Sequence, residues 1–187
     1  MDALTALHQR VSVPRLTEPA PTPEQCHGLI KAALRAADHG NLQPWRFLVI
    51  EGDGLIQLGE LFARVGMLNN PQLSDTEVDR FKSMPKRAPM IIVSIAVCQE
   101  HPKVPIIEQV ISAGAATQNL ITAAFAMGLG AVWRTGDLAY DPQIMAGLGL
   151  KTDEKIVGFV YLGTPLTPAG APKSALPEDF FTVWSGN

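Results

Sequence analysis

Six polar side chains are spaced along this chain in a way that suits an anion. Arg10 and Ser12 follow a short helical stretch, Arg35 and His39 stand four residues apart, and Arg134 and Thr135 end an apolar run. A guanidinium fork makes charge-assisted bonds to phosphate oxygens, and a hydroxyl adds one more donor. Arg15, after Pro14, is a further cation of the same kind. The competing reading for any single Arg is surface ion pairing. It loses weight because several of these residues end elements otherwise lined with apolar side chains. A second cluster stands in "ADHGNLQPWRF", residues 37–47, where Asp38, His39, Asn41, Gln43, Trp45 and Arg46 crowd together just after Arg35. A plain connecting loop carries Gly, Ser and Pro rather than so many donors beside a Trp.

Other chemistries find no residues to carry them. No G-x-G-x-x-G follows a strand-like run, and neither a P-loop nor a G-x-S-x-G elbow occurs. His8, His27, His39 and His101 are far apart, so no metal site is expected. Cys26 and Cys98 are two isolated thiols, too few for a disulfide framework or a zinc site.

The elements that must position these residues can be read from pattern. Asp2 caps a short helix to about Arg10. "VSVPRLTEPAPTPEQ" holds Pro14, Pro19, Pro21 and Pro23 and must be extended or looped. Thr22, Pro23 and Gln25 form a helix start with a capping box, and Leu29, Ile30, Ala33, Leu34 and Ala37 follow at helical spacing. That helix is expected to stop near Asp38, which places Arg35 and His39 on one face. Strands are expected at "RFLVIEG", "MIIVSIAVC", "GAVWRTG" and "KIVGFVYLG", and helices at "GLIQLGELFARVG", 106–127 and "DPQIMAGLGL". The polar excursion 67–88, with Asn69, Asn70, Met84 and Pro85, reads equally as a pocket roof or as a surface helix and loop. The Pro-rich tail ends in Phe180, Phe181, Val183 and Trp184, which need an apolar surface. Two helices before the first strand, then alternation, predict an α+β fold: a small mixed sheet flanked by helices around a central one.

At 187 residues the chain suits a single domain spanning 1–187. Its 47% hydrophobic content supports a substantial core. A net charge of -3 without a basic face argues against nucleic acid. The N-terminus lacks the pattern of a signal peptide, and "VISAGAATQNLITAAFAMGLG" carries too many polar groups for a membrane span. A soluble, cytoplasmic protein is the expectation.

Four segments resemble the nitroreductase family in order and spacing over nearly the whole chain. "HQRVSVPRL" resembles the family's R-R-S-x-R-x-L/F opening. "ADHGNLQPWRFLVI" resembles the loop ending in Q-P-W that runs into the first strand. "GLGAVWRTG" is similar to G-x-G-x-x-W-x-[ST]-G, and "KIVGFVYLGTP" to the closing strand. Length and the Trp-Arg-Thr-Gly run resemble the family's minimal members. The resemblance implies a homodimer with FMN at the subunit interface and NAD(P)H as electron donor. It implies flavin contacts at Arg10, Val11, Ser12, Trp133, Arg134 and Thr135, and at Arg35 and His39 from the neighbouring chain. It also implies a nicotinamide-nucleotide contact at Ala123, Ala124, Phe125, Ala126, Met127 and Gly128. The sequence departs from the family at Val11, where an Arg or His is frequent.

On this reading the 37–47 loop is a flavin wall, and the protein needs little acid–base equipment because the cofactor carries the redox chemistry. A single open pocket would serve NAD(P)H and then a nitroaromatic, quinone or similar small acceptor in a ping-pong cycle. The alternatives are a flavin-binding module without turnover, and a dehalogenating or flavin-fragmenting relative on the same fold.

Overall fold

The computed structural model describes residues 1–186. Helix α1 (Ala3–Gln9) starts where the Asp2 carboxylate accepts from the Thr5 N–H at 3.0 Å. Strand β1 (Leu16–Thr17) is a short piece of the proline-rich segment. Helix α2 (Pro23–Ala33) has the expected capping box, with the Thr22 hydroxyl accepting from the Gln25 N–H and the Gln25 side chain accepting from the Thr22 N–H. Strand β2 (Trp45–Glu51), helix α3 (Asp53–Asn69), helix α4 (Asp75–Ser83) and strand β3 (Met90–Val97) follow. Then come α5 (Ile106–Ala126), β4 (Gly130–Arg134), α6 (Asp137–Tyr140), α7 (Pro142–Gly147) and β5 (Glu154–Pro165).

The sheet runs β2–β3–β5–β4, with β1 paired to the last residues of β5. The α+β class stands, but the expected mixed sheet does not, because every strand pair is antiparallel. The reason is topological. The α5 crossover leaves β3 and β4 pointing the same way, yet they are not neighbours: β5 inserts between them and pairs antiparallel with both.

Strand β3 is buried on both faces, and its period of two assigns each side chain to a layer. Met90, Ile92 and Ala96 pack with Leu29 of α2 and Leu120 of α5. Ile91, Val93 and Ile95 pack with Leu58 and Phe62 of α3 and Ile144 of α7. Ser94, the polar exception, meets the Thr117 hydroxyl of α5 at 2.6 Å, and Thr117 donates to the Ala113 carbonyl at 2.9 Å. A buried hydroxyl pair is thereby satisfied inside an otherwise apolar layer.

One expectation about helices needs correction. Helix α2 ends at Ala33, one turn short of Asp38, so Arg35 and His39 do not share a helical face. Asp38 is extended, and its carboxylate accepts from the Leu42 N–H at 3.2 Å and the Gln43 N–H at 2.7 Å. These bonds, with positive φ at Gly40, Asn41 and Gln43, favour a tight loop over another helical turn. The central helix is also open on one side, since α5 leaves Ile107 and Ile111 each 63% exposed. Among the described residues the tail after Pro165 has a single 3-10 turn, Pro177–Asp179, and its Trp184 is 86% exposed. Within one chain the aromatic end therefore finds no apolar surface.

Candidate active site

Where β4 ends, the chain turns from sheet to loop and opens a cavity of about 830 Å³. Its lining includes Trp133, Arg134 and Thr135, Phe159 and Tyr161 of β5, and residues of α3, α4 and the segment after α4. The excursion 67–88 thus lines the cavity, through Asn69, Asn70, Met84 and Arg87 among others. Glycine makes this packing possible: a Cβ on Gly66 of α3 would lie 2.8 Å from the Phe81 ring of α4. Lys82 of α4 also pairs with Glu60 of α3 at 3.4 Å.

Trp133 lies along the sheet, its indole N–H donating to the Val157 carbonyl at 3.2 Å. That position exists because residue 158 is glycine; a Cβ there would overlap the indole. Two residues along one face of an antiparallel ladder, Arg134 reaches across to Tyr161, its guanidinium carbon 5.6 Å from the ring centroid. The Arg134 Nε is buried and has no hydrogen-bond partner among the described residues. A buried unpaired guanidinium nitrogen costs free energy that a ligand oxygen can recover. Burial pushes the Tyr161 phenol above its ordinary pKa, against the opposing pull of the Arg134 and Arg87 charges.

Two of the carboxylates lining the cavity, Asp141 and Glu77, are hydrogen-bonded within the chain. Burial raises the Asp141 carboxyl, but bonds from the Asn69 side chain and the Gln143 and Ile144 N–H groups outweigh it and hold the group below its usual range. Glu77 accepts from the Ser74 hydroxyl and N–H in a capping box.

The remaining sequence-predicted residues lie elsewhere on the chain. Arg10 is the C-cap of α1, with half-buried Val11 and exposed Ser12 beside it. The next residue, Val13, donates its N–H to the Ala131 carbonyl at 2.9 Å, which straps this segment against β4. Three residues of strand then separate that contact from Arg134, about 10 Å. Arg35 is exposed, and His39 Nδ1 lies 2.6 Å from the Glu108 carboxylate at the start of α5. Neither lines the cavity. Ala123 to Gly128 form the end of α5: Ala124 is fully buried in the α2–α5 layer, and Gly128, at φ 75°, makes the turn that stops the helix. None of the six lines the cavity.

Several donors of the 37–47 cluster turn out to hold the fold. Trp45 is buried, Asp38 ties the loop, and Arg46 makes a bidentate pair with Glu154 at 2.6 and 2.7 Å. The sequence reading missed Tyr161, Arg87 and Gly158. Tyr161 and Gly158 sit inside a strand motif that reads as pure core, and Arg87 sits in a polar run with no pattern of its own. Among the described residues no group of three or more His, Cys, Asp or Glu could hold a metal ion. Nor, among the described residues, is any helix long and apolar enough to cross a membrane.

Comparison with known proteins adds an independent line. The chain is 43% identical over 165 residues to the Escherichia coli K12 protein named "Putative NAD(P)H nitroreductase YdjA", covering 88% of this chain and 89% of that one. A nitroreductase-like family protein from Bacillus cereus superposes with a TM-score of 0.81 at 25% identity, over 100% of this chain and 97% of the other. A Desulfitobacterium hafniense nitroreductase with bound FMN shares the fold at TM-score 0.69 and 19% identity, over 97% of each chain. Residues 7–164 match the sequence pattern that defines the nitroreductase family, and with these relatives they establish that the chain belongs to it.

Proposed function

We propose that the protein is an FMN-dependent oxidoreductase that takes hydride from NAD(P)H and passes it to a nitroaromatic, quinone or similar small acceptor. Donor and acceptor use the cavity in turn, a ping-pong cycle, and two chains share each flavin site. The observation that carries this reading is Arg134, whose buried Nε has no partner among the described residues beside an open cavity of about 830 Å³. Such a site fits a large ligand with oxygens for a guanidinium to bind. The E. coli relative is named for NAD(P)H, and the D. hafniense relative holds FMN.

When bound, FMN would supply the hydride chemistry. The chain's own residues do the rest. Arg10 and Ser12, strapped against β4, offer a charged fork and a hydroxyl to the phosphate and ribityl chain. Val11 leaves an apolar contact between them. Trp133 presents a flat surface held by its bond to Val157, and Thr135 adds a hydroxyl at the cavity mouth. Arg134 places a fixed positive charge where negative charge gathers on reduction. Phe159 and Tyr161, buried residues of the cavity lining, would exclude water from the reacting face. Support for Ala123 to Gly128 as a donor contact is the resemblance alone.

The shared site is supported by what one chain leaves uncovered. Ile107 and Ile111 of α5 and Leu4 and Leu7 of α1 are exposed apolar side chains on helices that pack together. A second copy seated there by two-fold symmetry would bury them and bring its own Arg35 and His39 to the flavin.

Anaerobic addition of NADH or NADPH to the purified, flavin-loaded protein should bleach the flavin absorbance, and a small nitroaromatic or quinone should restore it. A protein that stays colourless after FMN is added has no flavin site. A bound flavin that neither nucleotide reduces makes it a binding module. Sharing is tested by complementation. Arg10→Ala and Arg35→Ala homodimers should each bind FMN poorly, while a heterodimer of the two regains one intact site. Purified heterodimers with no recovery would show that the two arginines do not serve one flavin.

A further inference from the structure

Tyr161 carries a hydroxyl for which the fold provides no partner. Its backbone is held on both sides, opposite Ile91 of β3 and Val132 of β4. The side chain is 5% exposed and packs in the same apolar layer as Phe62 and Phe159. Phenylalanine suits such a place, as at Phe159 two residues earlier on the same face of the strand. The difference is one oxygen. That oxygen makes no hydrogen bond among the described residues, yet it is not sealed. The one fully buried side-chain N or O atom without a partner there is Arg134 Nε. The narrow opening of Tyr161 therefore includes its hydroxyl, and the cavity is the space that Tyr161 lines. A nearly buried hydroxyl with an unmet bond calls for an acceptor. The Arg134 guanidinium carbon lies 5.6 Å from the ring centroid, so a fixed positive charge stands beside the phenol. Burial holds the proton on the phenol, while the charges of Arg134 and Arg87 favour the phenolate once the proton has gone. The other charged groups lining the cavity are Glu77, Arg80, Asp137 and Asp141. Glu77 and Asp141 are bonded within the chain, which leaves the Asp137 carboxylate as the competing proton carrier.

We propose that the Tyr161 hydroxyl is a catalytic group, which binds a carbonyl or nitro oxygen of the aromatic acceptor and gives it the proton that accompanies hydride. This rests on the reading of the cavity as the place where donor and acceptor are used in turn. With a quinone the balance closes simply. The quinone gains a hydride, and an electron pair moves onto a carbonyl oxygen. The phenol O–H bond breaks as a new O–H bond forms on that oxygen. Quinone, hydride and proton together make hydroquinone. NAD(P)H is the source of the hydride, and the phenolate regains its proton from water.

Two measurements read the hydroxyl through Tyr161→Phe, which removes one oxygen and no bond within the described chain. The first is equilibrium binding to the oxidised protein, with no nucleotide present and no turnover. Nitrobenzene accepts hydrogen bonds, and isopropylbenzene, of similar shape, does not. Tyr161→Phe should lower the ratio of their affinities about twofold to tenfold. The second is anaerobic stopped-flow reoxidation of the flavin-loaded protein after reduction with dithionite. A quinone takes hydride and a proton, whereas ferricyanide takes single electrons and no proton. Tyr161→Phe should lower the quinone rate relative to the ferricyanide rate by about tenfold or more, and Asp137→Asn should not. An unchanged affinity ratio, or a smaller fall in the rate ratio, would overturn the proposal. A lost binding preference without the kinetic loss would make the hydroxyl a binding group only and overturn the proton step. A kinetic loss in Asp137→Asn alone would assign the proton to that carboxylate. Dithionite stands in for NAD(P)H here. A protein that neither nucleotide reduces would therefore defeat the function proposed above and leave both ratios readable.

Discussion

Two arginines stand on strands of one sheet and meet opposite fates. Arg46 on β2 finds Glu154 two strands away and is held by two short bonds. Arg134 on β4 finds only the face of a tyrosine, and its Nε is left buried without a partner. Both are cationic strand residues beside aromatic or apolar neighbours, and their sequence contexts, "PWRFL" and "VWRTG", look alike. What separates them is whether the fold delivers a carboxylate. Where it does, the guanidinium is part of the scaffold. Where it does not, the unmet bond is a binding capacity, and it faces a cavity.

The largest expected effect comes from breaking the satisfied member. Arg46→Ala strands the buried Glu154 carboxylate and should cost about 3 kcal/mol, read by urea or thermal unfolding. Flavin content per folded molecule should hold. The pair also has a pH signature. The bond from Arg46, against burial and with help from the Lys151 N–H, holds the Glu154 carboxyl down from 4.5 to about 2. A carboxyl depressed in the folded state stabilises fully above its unfolded pKa. Its contribution, on the order of 3 kcal/mol, should therefore fade as pH drops from about 4.5 toward 2. Arg46→Ala should flatten this stretch of the stability curve; an unchanged slope would place the acid sensitivity elsewhere.

Breaking the unsatisfied member should do the reverse. Arg134→Ala should lower FMN affinity about tenfold to a hundredfold, measured by flavin fluorescence titration. Thermal stability of the flavin-free protein should change little or rise, since a buried unpaired donor disappears. A stability loss as large as that of Arg46→Ala would erase the distinction.

The smallest effect sharpens the comparison at the surface. His39 and Glu108 are as close as Arg46 and Glu154, but their side chains are 56% and 44% exposed. Glu108→Gln should cost less than about 1 kcal/mol, because water screens the pair. A larger loss in stability, measured on the same unfolding curves, would mean that this contact is covered in solution, as it would be beneath a second subunit.

Much of the scaffold was legible because local physics writes it into short stretches. The Thr22–Gln25 capping box, the Asp2 cap, the β3 strand and the long α5 each depend on neighbours within a few residues, and each was read from them. The helix limit at Asp38 was misread because Asp38 can cap a helix or tie a loop, and its carboxylate chose two backbone N–H groups of the loop. Of the candidate site, Trp133 to Thr135 were found as a motif, and the structure gives them a cavity. Tyr161, Gly158 and Arg87 were not found. Each matters through residues distant in sequence: Arg134 for Tyr161, Trp133 for Gly158, and for Arg87 the cavity it lines with the end of β4.

By itself the sequence determined which segments are helix and strand, which face of each is apolar, and which family the four motifs resemble. Those properties follow from periodicity, caps and residue type at short range. Only the tertiary structure decided that β5 enters between β3 and β4, that Arg46 is neutralised and Arg134 is not, and that Trp133 lies flat over a glycine. These outcomes depend on pairings between residues far apart in the chain. A guanidinium becomes scaffold or ligand site according to what the folded sheet places within about 3 Å of it.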